Sequence, residues 1–179
     1  MNGLKPMRCF RTRGKKGEAH PDVTDPPRRR GNNKRGHGTY ANDRPPVVGT
    51  VGRDSGQCRL RVCERTTAKI LRNHVQWTTS VQSICYTDEW MGYTNLERRH
   101  QQVAHGNREW ARDDDGDGLR EVHTNTIEGL WTTLRNFLRP FRGVHKKYLK
   151  LYVAICEHAI NRKVISPDFI ANLVVMHKY

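Results

Sequence analysis

The sequence predicts one mixed α/β domain that follows a basic arm. Three observations predict it: an alternating β-hairpin pattern begins near residue 45, a short apolar strand runs up to Asp88, and two strongly amphipathic helices follow residue 124. A chain of 179 residues is long enough for one domain with a hydrophobic core. The predicted order of strand, strand, helix, strand, helix, helix is typical of a mixed α/β fold.

The first 44 residues are predicted to form a flexible basic arm, and residues 45–179 the folded domain. The arm holds 12 lysines and arginines against 4 acidic residues, with several prolines and glycines among them. Such a segment cannot bury enough apolar surface to order itself. Contact with phosphates and a role as a solvated linker are both compatible with this composition.

The first half of the domain contains a hairpin, a helix and a strand. Residues 47–51 are mostly β-branched, Asp54-Ser55-Gly56 is a turn signal, and residues 58–63 alternate apolar and polar side chains. This pattern predicts a β-hairpin with one buried face. Apolar residues at helical spacing predict a helix over residues 67–77, and a short strand is expected over residues 83–87.

The second half is predicted to be helical. Residues 98–124 are interpreted as a polar connection. An apolar stripe at steps of three and four residues predicts a helix over residues 125–138, and a second amphipathic helix is expected over residues 146–164. Ser166-Pro167 has the capping residue and the proline that begin a short last helix.

Composition narrows the classes of function. The formal net charge of +14 favours a polyanionic partner, of which nucleic acid is the commonest, although a ribosomal-type or merely basic protein has the same charge. No apolar run approaches the roughly 20 residues of a membrane-spanning helix, and residues 1–10 lack a signal-peptide core. The five scattered cysteines are expected to be reduced structural thiols of a cytoplasmic protein.

Two carboxylates on separate rigid elements form the candidate catalytic pair. Asp88 follows an apolar strand, and Glu128 lies on the first turn of a predicted helix; such a pair can hold divalent cations for phosphodiester chemistry. Arg135 is two helical turns after Glu128 and on the same face, where it can contact a phosphate. The structural alternatives are a capping box formed by Asn125 and Glu128, and a strand end at Asp88.

Several segments together resemble a family of bacterial insertion-sequence transposases. Tyr86-Thr-Asp-Glu-Trp-Met-Gly-Tyr93 resembles the second catalytic block of that family, and His123-Thr-Asn-Thr-Ile-Glu-Gly-Leu-Trp131 resembles its third block, with Arg135 at its basic position. Gly143-Val-His-Lys-Lys-Tyr-Leu149 and Asn161-Arg162 resemble its C-terminal helical region. The match of two blocks in the right order and spacing is specific.

The resemblance implies a DDE-type transposase with a ribonuclease-H-like catalytic domain, a mixed sheet flanked by helices. Such enzymes cleave and join DNA strands with two metal ions. Asp88 and Glu128 would be ligands of Mg²⁺ or Mn²⁺, and Asn125, His123 and Arg135 would be supporting residues near the DNA ends. The implied partners are transposon ends, target DNA, and other copies of the chain or the full-length transposase, at the nucleoid of a bacterial cytoplasm.

The first acid of the expected catalytic triad is missing. The resemblance places it on the first strand, just before Phe10, where this chain has Met7-Arg8-Cys9, and no acid precedes Glu18. The chain is therefore expected to be an N-terminally truncated remnant with an incomplete first strand and impaired strand transfer. With suitable codons for residues 6–9, a one-base shift would read Asp-Glu-Met, so a frameshift near Phe10 is one hypothesis for the loss.

Two other interpretations stay open for the chain as a whole. One is a non-catalytic DNA-binding remnant that competes with full-length transposase. The other is a product that barely folds because its sheet lacks the first strand. A separate motif, Asp113-Asp-Asp-Gly-Asp-Gly118, resembles a calcium loop, but position 12 of that loop is Thr124 where a bidentate Glu is needed. An exposed acidic loop is the preferred interpretation.

Overall fold

A computed structural model describes residues 38–162 and the backbone of Gly3 and Leu4. The predicted mixed α/β class is confirmed, whereas the last helix predicted at Ser166-Pro167 and most of the predicted arm lie outside the described residues. The strands and helices are β1 Gly3–Leu4, β2 Val47–Val51, β3 Cys58–Val62, α1 Ala68–Thr78, β4 Cys85–Asp88, β5 His100–Val103, β6 Ala111–Arg112, β7 Val122–His123, α2 Asn125–Leu138 and α3 Lys146–Asn161.

A small parallel sheet carries the first candidate catalytic residue. β4 is its central strand, with β1 on one side and β5 on the other. The register pairs Asp88 of β4 with Val103 of β5, so both strands end at the same edge. β2 and β3 form the predicted antiparallel hairpin, in which Val51 pairs with Cys58, and β1 lies against β2.

Helices cover the hairpin on both faces. Successive residues of a strand point to opposite sides, and this alternation separates Val47 from Val48. Val47 belongs to a buried cluster with residues of α2 and α3, whereas Val48 belongs to one with residues of α1 and β4. The result is α1 on one side of the hairpin and the α2–α3 pair on the other.

The helix boundaries agree closely with the sequence predictions. α2 has the predicted ends, and α1 is shifted by one residue because the hydroxyl of Thr67 caps it by accepting from the Ile70 amide at 3.3 Å. α3 begins at Lys146 as predicted but ends at Asn161, three residues earlier. Side chains of its last turns hydrogen-bond the outer edge of β3. Glu157 accepts from the Leu60 amide, and Asn161 bonds the backbone amide and carbonyl of Cys58.

The interpretation of residues 98–124 as a polar connection is wrong. This segment contains β5, β6 and β7. β5 has the sequence His-Gln-Gln-Val, with a single apolar residue that is fully buried, and its pairing with β4 stabilises it as a strand. β6 and β7 pair with each other in antiparallel fashion, with Ala111 opposite His123.

The described residues also test two smaller expectations. No described helix has the length and apolar character needed to cross a membrane. Four of the five cysteines, Cys58, Cys63, Cys85 and Cys156, are buried and free, as expected for reduced structural thiols. Burial raises the pKa of the Cys58 thiol to about 11, with a contribution from the nearby Glu157 carboxylate.

Candidate active site

Asp88 is fixed at the C-terminal end of the central strand of the parallel sheet. It is half-buried, and its Oδ1 accepts from the Trp90 amide at 3.4 Å. The preceding residue, Thr87, is fully buried; its hydroxyl donates to the Asp88 carbonyl at 2.9 Å and lies 2.7 Å from His100 Nε2. These contacts hold the backbone that carries the carboxylate.

Glu128 projects from the first turn of α2, and its carboxylate is 46% exposed. The hydroxyl of Thr124 donates to Glu128 Oε1 at 3.3 Å. His105 approaches the same oxygen, with Nε2 3.7 Å from Glu128 Oε1 and 3.1 Å from Thr124 Oγ1. Glu128 Oε1 therefore accepts a hydrogen bond from Thr124 and lies beside the His105 ring.

The parallel pairing of β4 and β5 places Asp88 and the turn that carries His105 at the same edge of the sheet. Val103 pairs with Asp88, and His105 lies two residues beyond Val103, in a 3-10 turn at the end of β5. Because His105 contacts Glu128, the end of β4 and the first turn of α2 face the same region. Asp88 and Glu128 are both half-buried.

An arginine of the hairpin loop holds the segment that leads into α2. The Arg53 guanidinium donates to the carbonyls of Glu121 and His123, the latter at 2.5 Å, and it lies 4.0 Å from the centre of the Tyr86 ring. It thus connects β7 to β4. Burial and the neighbouring Arg53 charge lower the pKa of His123, so this imidazole is disfavoured as a cation.

The sequence matches the ISXO2-like transposase domain family over residues 16–161, which is most of the chain. The chain belongs to this family. It is also similar to "Uncharacterized protein in transposable element ISH50" from Halobacterium salinarum, with 31% identity over 132 residues. That alignment covers 72% of this chain but 42% of the relative, so the chain spans less than half of the relative's length.

Two solved integrase structures are weakly similar to this chain. The catalytic core domain of BIV integrase has a TM-score of 0.45 and 10% identity, and covers 76% of this chain and 92% of its own. The HTLV-2 integrase catalytic core domain in complex with magnesium has a TM-score of 0.40 and 10% identity, covering 74% and 85%. Likenesses this weak say nothing about the function of the transposase domain.

The remaining sequence-predicted site residues lie on β7 and α2 and differ in burial. His123 is half-buried on β7, and Asn125 is exposed as the first residue of α2. Arg135 is exposed two turns along α2, and donates to the Thr132 hydroxyl at 3.2 Å rather than to either carboxylate. The capping-box alternative is wrong, because Thr124 is the N-cap of α2 and its side chain makes no capping hydrogen bond.

Sequence reasoning missed His105, Thr124 and Arg53. His105 follows a strand with a single apolar residue, so no periodic signal marks its position. In the sequence, Thr124 stands out only as position 12 of the calcium-like motif, whereas in the structure it is 1% exposed and bonds the Glu128 carboxylate. Arg53 was part of an unremarkable turn. Its proximity to β7 depends on tertiary packing that a local pattern does not record.

The donor chemistry of Asp88 and Glu128 fits a hard divalent cation. Mg²⁺ is commonly bound through one or two carboxylates, with water and substrate phosphates as its other ligands. Among the described residues, one group of three His, Cys, Asp or Glu side chains has ligand atoms within 4.8 Å of one another, namely Asp113, Asp115 and Asp117. In the described part of the chain, neither Asp88 nor Glu128 belongs to such a group.

Asp113, Asp115 and Asp117 belong to the calcium-like motif. This motif forms an exposed acidic loop, as the sequence predicts. Asp113 accepts from the amides of Gly116 and Gly118 at 2.6 and 2.9 Å, and these bonds lower the pKa of its carboxyl. Both glycines have positive φ angles, of 78° and 88°. These bonds stabilise the turn itself, and the loop's twelfth position, Thr124, is buried beside Glu128.

Proposed function

We propose that this transposase domain takes part in DNA transposition by DNA strand cleavage and strand transfer, with Asp88 and Glu128 holding Mg²⁺ or Mn²⁺. The observation that carries the proposal is the contact of His105 with Glu128. It brings the first turn of α2 to the sheet edge where Asp88 ends β4. Oxygen ligands on two rigid elements are the arrangement that metal-assisted phosphodiester chemistry requires.

In this proposal, Asp88 and Glu128 hold the cation, and neighbouring residues support α2 and bind the DNA backbone. A bound cation polarises the scissile phosphate and stabilises the charge that develops on its oxygens. Asp88 supplies one carboxylate from a strand end, and Glu128 supplies the other, oriented by the Thr124 hydroxyl. The exposed side chains of Asn125 and Arg135 lie on α2, where they are available to bind the DNA backbone, and His123 supports the entry to that helix.

We expect the activity to be weak in this chain alone. The sequence has no acidic residue before Glu18, and β1, described as Gly3–Leu4, contains none. Two cations that repel each other need several carboxylates to hold them. With two carboxylates at the described site, we expect weak cleavage and little strand transfer, and we expect Mn²⁺ to support more cleavage than Mg²⁺.

A non-catalytic role as a DNA-binding protein is the second candidate function. The chain carries a formal net charge of +14, and arginines such as Arg59 and Arg61 are exposed. Binding through phosphate contacts falls steeply with added salt because counterions are released. Such a protein would compete with a full-length transposase for the ends of the element, and its DNA binding would not depend on Asp88.

Plasmid nicking and DNA binding together separate the two functions. Supercoiled plasmid is incubated with Mn²⁺ and the wild type, Asp88→Asn, Glu128→Gln, or the matched control Glu97→Gln, an exposed acid away from the site. The proposal expects nicking by the wild type and control that is lost in both site variants. Nicking that survives both site substitutions would overturn it. Salt-sensitive binding of a labelled duplex without any nicking would support the second function.

A further inference from the structure

We propose that His105 is a positioning residue for Glu128, acting through the hydroxyl of Thr124. The three side chains form a polar chain that begins in the turn after β5 and ends on the candidate metal ligand. His105 Nε2 lies 3.1 Å from Thr124 Oγ1, and the same hydroxyl donates to Glu128 Oε1 at 3.3 Å. This inference rests on the proposed function of Glu128 as a metal ligand.

The direction of the chain follows from the number of hydrogens on a hydroxyl. Thr124 Oγ1 has one hydrogen, and it is donated to the Glu128 carboxylate. Oγ1 therefore meets His105 as an acceptor, and Nε2 must carry the hydrogen. His105 Nδ1 is buried and has no hydrogen-bond partner among the described residues, so Nε2 provides the polar contact that fixes this ring.

The first two members of the chain, His105 and Thr124, are largely shielded from water. Thr124 is 1% exposed and His105 is 17% exposed, whereas Glu128 is 46% exposed. The Trp110 ring lies 5.3 Å from the His105 ring and covers one side of it. The buried Thr124 hydroxyl and the largely shielded His105 imidazole lie next to an accessible carboxylate. This arrangement can orient a metal ligand while the ligand stays open to substrate.

Two carboxylates bond the backbone of the turn that carries His105. Glu89, next to Asp88, accepts from the Gly106 amide at 2.8 Å. Glu109 accepts from the Ala104 amide at 2.9 Å, and Arg112 bonds Glu109 at 2.7 Å. Since Glu89 follows Asp88 directly, the end of β4 fixes the turn whose histidine reaches Glu128. The two candidate ligands are thus linked through a short and rigid path.

Partners that orient a metal ligand change metal affinity without touching the metal. Their removal costs about 10- to 100-fold in affinity in characterised sites. We therefore expect His105→Ala and Thr124→Val to weaken Mn²⁺ binding by about that factor. Thr124→Ser, which keeps the hydroxyl, should retain wild-type affinity. Because both residues act through one hydrogen-bonded path, the double variant should lose no more Mn²⁺ affinity than the more affected of the two single variants.

Titration of Mn²⁺ followed by electron paramagnetic resonance tests this. All proteins carry Asp113→Asn, Asp115→Asn and Asp117→Asn, so that the acidic loop does not contribute, and far-UV circular dichroism checks that each is folded. Loss of affinity in His105→Ala and Thr124→Val, with rescue by Thr124→Ser, is the expected result. Unchanged affinity in both, while Glu128→Gln abolishes binding, would overturn the positioning role alone. If Asp88→Asn and Glu128→Gln also leave binding unchanged, the proposed metal site itself fails.

Discussion

The side chain of Asn161 forms two hydrogen bonds with the backbone of Cys58, which lies 103 residues earlier in the chain. Its Oδ1 accepts from the Cys58 amide at 2.7 Å, and its Nδ2 donates to the Cys58 carbonyl at 2.8 Å. One turn earlier on α3, Glu157 Oε2 accepts from the Leu60 amide at 2.5 Å. α3 thus covers the outer edge of β3, whose backbone groups would otherwise be open to pairing with another chain.

We expect Asn161→Ala to destabilise the fold. It leaves the amide of the buried Cys58 without its Asn161 partner, which costs about 1–3 kcal/mol. The Cys58 carbonyl keeps the hydrogen bond from the Arg59 guanidinium at 3.0 Å. The exposed Asn136 of α2 provides the matched control, and Asn136→Ala should leave stability nearly unchanged. Thermal unfolding measures both variants. An equal melting temperature for Asn161→Ala and the wild type would contradict this account of the β3 edge.

Arg53→Lys should lower the free energy of unfolding by about 1–3 kcal/mol, although it keeps the charge. A lysine ammonium cannot bond the Glu121 and His123 carbonyls in a planar fork while it stacks on Tyr86. Urea denaturation gives the value. Arg120→Lys, at an exposed position of the acidic loop, should have no effect. If the two substitutions cost the same, Arg53 does not hold β7 as described.

His74 on α1 should make the fold sensitive to mild acid. It is 2% exposed, and burial lowers the pKa of its imidazole from 6.5 to about 4 in the folded protein. The unfolded chain therefore binds the proton first. The stability contributed by neutral His74 is complete above about pH 6.5 and is lost as the pH falls toward about 4, a difference of up to about 3 kcal/mol.

Unfolding by urea between pH 7 and pH 4 measures this effect. In His74→Leu, the loss of stability over that range should be smaller than in the wild type. His158→Leu, at an exposed position of α3, should follow the wild-type curve. Carboxyl groups titrate in all three proteins, so the comparison of slopes isolates His74. Identical slopes for the wild type and His74→Leu would show that the buried imidazole has no such role.

The sequence predicted those elements whose stability comes from their own pattern. The apolar stripe of α2 and the alternation of β3 are strong local signals, and both elements lie where they were expected. β5 has one buried valine, and its stability as a strand comes from pairing with β4, so no local pattern indicates it. Asp88 and Glu128 are predicted as metal ligands from their places at a strand end and on a helix turn, and from the resemblance. His105 was missed because the parallel register that brings it to Glu128 is a tertiary property.

The central claim is that Asp88 and Glu128 jointly hold a divalent cation. Anomalous diffraction from crystals soaked in Mn²⁺ tests it most directly, because it locates the ion without relying on catalytic rate. The account predicts an anomalous peak between the carboxylates of Asp88 and Glu128 that is absent from crystals of Glu128→Gln. A peak confined to the loop of Asp113, Asp115 and Asp117, with none at the sheet edge, would contradict it.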